Sequence, residues 1–180
     1  FHYYAGWASK IEGAVKQTTK GLHTYTLREP LGVVAAITPF NFPLILSISK
    51  FAPALAAGNT IIHKPASATP LSALKVAQIM EEAGVPPGVF NVVMGPGGTV
   101  GNALSTHPGI EKVAITGSTA SGIRVIKDSA DTLKHLTMEL GGKSANIIFA
   151  DADLDAATQT AYDGMFYNKG EICYAGSRML

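Results

Sequence analysis

The feature that most constrains this chain is a recurrence: short apolar runs of strand length alternate with longer stretches of helical periodicity. Residues 31–37 form a nearly continuous apolar run, as a strand covered on both faces must. Similar runs lie at 60–63, 89–94, 113–116, 135–138 and 146–149. Between them, 44–57 follows Pro43 and stops at Gly58-Asn59, which predicts a helix. A second helix is expected over 69–83, with Thr69 as its cap, Pro70 at its first position and Gly84 beyond its end. A weaker one is expected over 121–133, and a fourth over 153–167, where early acids complement the helix dipole. Strand, helix, strand in repetition predicts parallel strands joined by crossover helices: an open α/β sheet with helices on both faces. Residues 1–28 lack the pattern and read as a helix end followed by an extended arm.

What the chain excludes follows from a few numbers. A formal net charge of +1 gives no basis for a nucleic-acid partner. No apolar run reaches the roughly 20 residues that cross a bilayer, so no membrane role is expected. The single cysteine, Cys173, rules out an internal disulfide and any cysteine-cluster metal site, so no metal is expected, and it favours a reduced, cytoplasmic setting. Charge is uneven. Residues 1–80 carry seven Lys/Arg against two Asp/Glu, and residues 81–180 seven against eleven. That split reads as two solvated faces, with a basic first half that would also suit an anionic ligand. The chain opens in mid-pattern at Phe1 and stops in apolar sequence at Leu180, so it is expected to be a piece of a longer protein.

Open parallel sheets bind ligands beyond the carboxyl ends of their strands, so the loops after each strand hold the candidates. After the first comes Thr38-Pro39-Phe40-Asn41-Phe42-Pro43, where Asn41 is either a turn residue or a carboxamide donor for a developing oxyanion. After the second, Lys64 and Ser67 are either solvated or contacts for a nucleotide's ribose and phosphate. Gly95-Pro96-Gly97-Gly98 opens a helix running to about Leu104, either for close ligand approach or for a turn. Gly117 and Ser118 enter another helix, whose positive end suits phosphate. Glu139 follows an apolar strand, so partial desolvation would make it a general base; the alternative is a surface pair with Lys143. Cys173 is either inert or a nucleophile opening a helix that would stabilise its thiolate.

Taken together, these motifs resemble the NAD(P)-dependent aldehyde dehydrogenases over practically all 180 residues. The likeness rests on Pro39-Phe40-Asn41-Phe42-Pro43, His63-Lys64-Pro65, Thr116-Gly117-Ser118-Thr119, Met138-Glu139-Leu140-Gly141-Gly142-Lys143 and Gly170-Glu171-Ile172-Cys173, with 34 positions from Glu139 to Cys173. It implies an incomplete aldehyde dehydrogenase fold with a Rossmann-like, mostly parallel sheet. Residues 1–150 would form a partial cofactor-binding domain, and 151–180 the start of a catalytic domain. It implies Cys173 as nucleophile, Asn41 with the Cys173 N–H as oxyanion hole, and Glu139 as the base for hydrolysis. It implies a cofactor, NAD or NADP, bound by Thr38, Pro39, Phe40, Lys64, Ser67, Gly117, Ser118 and Leu140. The partners implied are a small-molecule aldehyde and further copies of the chain in a homo-oligomer, dimer or tetramer. Glu139 favours hydrolysis over transfer of the acyl group to coenzyme A, and the intact set Asn41, Glu139 and Cys173 argues against a non-catalytic member. The sequence departs from the family's pattern at Ser67, where many NAD-preferring members carry glutamate, and at Glu171, where glutamine is common. A neutral Ser67 leaves room for a 2′-phosphate, so NADP is expected to be accepted. The piece alone is expected to be inactive and prone to associate.

Overall fold

The computed structural model describes all of residues 1–180. Its centre is a five-stranded parallel sheet: β3 (Val33–Ile37), β4 (Thr60–Lys64), β5 (Phe90–Val92), β6 (Lys112–Thr116) and β7 (His135–Glu139), in the order β5-β4-β3-β6-β7. Ahead of it lie a short helix α1 (His2–Ala5) and an exposed antiparallel hairpin, β1 (Ala14–Lys16) with β2 (Thr24–Thr26). The crossovers carry α2 (Pro43–Ala56), α3 (Leu71–Glu82), α4 (Asn102–Thr106) and α5 (Thr119–Asp128). After the sheet come β8 (Ala145–Asn146), α6 (Leu154–Phe166) and β9 (Arg178–Met179). No helix is long and apolar enough to cross a membrane.

Alternation along β3 explains why residues 31–37 read as continuously apolar. Val34 and Ala36 face one way, onto Phe51 and Ala52 of α2, Ile61 of β4 and Met80 of α3. Ala35 and Ile37 face the other way, onto Val113 and Ile115 of β6, Leu104 of α4 and Val125 of α5. Helices therefore cover both faces, as expected. Ala35 and Ala36 are wholly buried, and their small side chains let both helical layers close on the central strand. Burying Phe51 or Ile61, each at most 1% exposed, contributes about 2–3 kcal/mol apiece.

Several boundaries differ from expectation. Helix α3 begins at Leu71: the Pro70 carbonyl accepts from the Leu74 N–H, and the Thr69 hydroxyl makes no cap hydrogen bond, so Pro70 and not Thr69 occupies the cap. Helix α5 starts early, at Thr119, because the Ser118 hydroxyl caps it by accepting from the Ser121 N–H. It ends early too, and the chain leaves through a 3₁₀ turn (Ala130–Thr132) and a left-handed Leu133, φ 50°. The 146–149 run is no sixth strand of the main sheet. Instead β8 pairs in parallel with β9, apart from the main sheet. Helix α6 starts as expected, with Asp153 accepting from the Asp155 and Ala156 N–H groups.

Candidate active site

Strand order reverses at the β3–β6 pair: β4 and β5 continue to one side and β7 to the other. Connections leaving the carboxyl ends of β3 and β6 diverge there and open a crevice, the usual ligand position in such sheets. In this chain the crevice is a groove of about 310 Å³. Seven of the sequence-predicted residues line it: Pro39, Phe40, Asn41, Gly117, Ser118, Leu140 and Cys173. The structure thus brings the carboxamide and the thiol to one groove from segments more than 130 residues apart. Thr38, Lys64, Ser67 and Glu139 are not among its lining residues.

Asn41 is half-buried and locked to the cysteine segment in both directions. Its Nδ2 donates to the Glu171 carbonyl at 2.8 Å, and Asn168 Nδ2 donates to the Asn41 carbonyl at 3.0 Å. Its Oδ1 is buried without a partner. Gly142 makes the opposite wall possible, since a Cβ there would lie 2.7 Å from the Cys173 carbonyl oxygen. Only glycine lets the two backbones come that close. Cys173 is exposed and open to attack an incoming group. It does not open a helix, contrary to expectation. The chain enters it through a tight turn (Tyr167–Gly170) with Asn168 and Lys169 left-handed at φ 48° and 62°, then runs on into β9. The sulfur therefore does not sit at the start of a helix of its own segment.

Thr38 sits beneath the groove. Its hydroxyl meets His63 Nε2 at 3.0 Å and the Ser47 hydroxyl at 3.2 Å, and Ser47 in turn meets His63 Nε2 at 3.0 Å. Burial, reinforced by the neighbouring Lys64 charge, holds the His63 imidazole down to about 4, so it is neutral here. Lys64 is 4% exposed, and its ammonium has no carboxylate partner, only the Pro65 carbonyl at 3.0 Å. Desolvation lowers its pKa. A buried cation without an anion favours an anionic ligand beside it. Ser67 is exposed and donates to the Gly95 carbonyl at 3.2 Å, joining the loops after β4 and β5.

Glu139 is exposed, which overturns the expected desolvation at a strand end. β7 is an edge strand whose residues alternate between exposed and half-buried, and Glu139 falls on the open side. It forms no ion pair with Lys143. It does act on Lys50, whose Nζ donates to Thr116 Oγ1 at 2.5 Å: burial lowers the Lys50 pKa, and the Glu139 charge raises it in opposition. Lys50 went unnoticed in the sequence. The available signal was that Lys50 is the one charged residue in the otherwise apolar and small-polar run Pro43–Ala56.

A second cleft, about 200 Å³, lies beside the first between the α4 and α5 ends, walled by Gly97, Gly98, Gly101, Asn102, Ile115 and Val125 among others. The glycines there have open space around them, so they bound a slot and do more than make a turn. Together the two clefts offer small residues and helix ends, and the buried Lys64 pairs in register with Ile37, which lines the second. Those features fit a dinucleotide. The thiol and the amide donor in one groove fit acyl transfer.

Comparison with known proteins points the same way. The model of the aldehyde dehydrogenase family matches residues 1–180. Human retinal dehydrogenase 2 is 52% identical over 181 residues, an alignment covering 99% of this chain and 35% of that protein. An NAD+ complex of an aldehyde dehydrogenase from Bacillus cereus superposes with a TM-score of 0.95 at 51% identity, covering 98% of this chain and 36% of that one. An E. coli NADP-dependent enzyme gives 0.95 at 42% identity, covering 98% and 37%. The chain therefore spans about a third of the length of the relatives it matches.

Proposed function

This chain belongs to the aldehyde dehydrogenase family, and from that premise we propose that the whole protein oxidises an aldehyde to a carboxylic acid with NAD(P)+. One observation carries the reading: an exposed thiol and a tethered carboxamide share a groove at the switch point of the sheet. In this reading the Cys173 thiolate adds to the aldehyde carbonyl. The oxygen that takes up charge is met by the Asn41 amide and the Cys173 N–H. When bound, NAD(P)+ would supply the hydride acceptor, and Cys173 would then hold the acyl group as a thioester. Glu139 then takes a proton from water as the water attacks the thioester, releasing the acid and returning the thiol. The Glu139 charge in turn opposes the desolvation of Lys50, the cation that it is seen to act on.

The same reading gives the remaining residues work. Lys64 and Ser67 hold the adenosine ribose, and Gly117 and Ser118 at the start of α5 hold the pyrophosphate. Thr38, Pro39, Phe40 and Leu140 shape the cofactor's side of the groove. With a hydroxyl at position 67 and an unpaired buried cation at Lys64, a 2′-phosphate is accommodated, so NADP+ is accepted. Residues 1–150 act as cofactor domain, 151–180 as the beginning of the catalytic one, and the whole protein is a homo-oligomer.

The test uses the full-length protein and a panel of aldehydes from acetaldehyde to retinal, with NAD+ and NADP+. Aldehyde-dependent reduction of the cofactor, without any requirement for coenzyme A, is the expected result. Cys173→Ala lowers kcat by about a thousandfold or more, as removal of a covalent nucleophile does. Turnover that survives Cys173→Ala, or acid release that needs coenzyme A, contradicts the reading.

A further inference from the structure

The cysteine segment holds Asn41 as well as carrying the thiol. An asparagine side chain can sit either way round, and only one way presents N–H to the groove. Here the Glu171 carbonyl takes one Nδ2 proton at 2.8 Å, whereas the flipped amide would set Oδ1 against another carbonyl oxygen. The second Nδ2 proton stays free for an incoming oxyanion. Asn168 completes the hold by donating from its own amide to the Asn41 backbone carbonyl at 3.0 Å. To do so it is left-handed (φ 48°, ψ 42°), followed by left-handed Lys169 and Gly170 at φ 62° and 73°. Asparagine tolerates that backbone and lysine does not favour it, so the turn is kept by what it contacts, not by local preference.

We propose that Asn168 is a positioning residue that acts through Asn41: with the Glu171 carbonyl it fixes the carboxamide in its donor orientation beside Cys173. The inference rests on the reading of Asn41 as oxyanion donor, and a double-mutant cycle in the full-length protein separates the two. Asn168→Gly accepts the positive φ and removes the amide. Asn168→Asp keeps shape and backbone tolerance but, once ionised, cannot donate. Each lowers kcat about tenfold, with KM for the cofactor unchanged and alkylation of Cys173 by iodoacetamide at its usual rate. In an Asn41→Ala background, neither substitution lowers kcat further.

Three outcomes overturn it. If Asn168→Gly costs the same tenfold with and without Asn41, Asn168 serves the turn alone, and the inference falls while Asn41 keeps its role. If Asn41→Ala leaves kcat unchanged, the donor reading falls and the inference falls with it. If both Asn168 variants turn over at the unsubstituted rate, the clamp has no catalytic weight.

Discussion

The two walls of the groove are built differently. The β3–β6 wall belongs to a parallel sheet sealed on both faces, with Val34, Ala35, Ala36 and Val113 at 6% exposure or less and a buried Thr38–Ser47–His63 network under the loop. The cysteine wall, beyond residue 143, is thin: two-residue strands β8 and β9, an exposed thiol, and Phe149, Leu154 and Tyr174 uncovered. One wall is rigid because its core is complete. The other is held by a few long-range hydrogen bonds, those of Asn41 above all. A reaction needing sub-ångström placement can thus draw its reference frame from the sheet and its reactive atom from the looser wall.

Cutting the link tests that division most strongly. Asn41→Ala removes the donor and the tether together, and kcat is expected to fall about 10²–10³-fold, the cost of losing one oxyanion donor. Steady-state kinetics on the full-length variant, with cofactor affinity measured alongside, checks it. A loss confined to cofactor affinity would mean that the walls are not coupled through this residue.

The rigidity of the sheet wall has a pH signature. His63 is held at about 4 against an ordinary 6.5, so between those values the unfolded chain takes a proton that the folded one refuses. Stability therefore rises with pH across that window. The contribution of the neutral imidazole is fully present above about 6.5 and is lost as pH falls through 6.5 towards 4, by about 3 kcal/mol. In the full-length protein, His63→Leu is expected to flatten the fall in melting temperature between pH 7 and pH 4.5. An unchanged slope would assign the acid lability to other groups.

A smaller effect sharpens the account of the rim. Ser67→Glu sets a carboxylate where a 2′-phosphate would lie, and kcat/KM with NADP+ is expected to drop about tenfold while that with NAD+ holds or rises. Equal changes for both cofactors would place Ser67 away from the adenosine ribose.

The sheet wall was legible in the sequence, and the cysteine wall was not, for one physical reason. Strands such as 33–37 and 112–116 are fixed by local patterning, and their loops then meet by the geometry of a parallel sheet. Nothing local in Gly141-Gly142 says that the carbonyl of Cys173 lies against it, and Lys169, between Asn168 and Gly170, gives no sign that its backbone is left-handed. The helix expected at Cys173 is absent for the same reason: contacts with Asn41, not local propensity, decide its path. Glu139 was misjudged because nothing in a five-residue run says that its strand lies at the sheet's edge. Lys50 was missed because its significance comes from Thr116, 66 positions away.

The central claim is that Cys173 carries the acyl group and Glu139 drives its release. Intact-mass and peptide mass spectrometry of the full-length Glu139→Gln protein, mixed with an accepted aldehyde and NAD(P)+, tests it directly. The predicted result is a stoichiometric burst of NAD(P)H and an acylated Cys173, its mass increase that of the added aldehyde less two hydrogens, absent when Cys173 is also replaced by serine. An unmodified Cys173 in a protein that still turns over, or an acyl group on another residue, would contradict it.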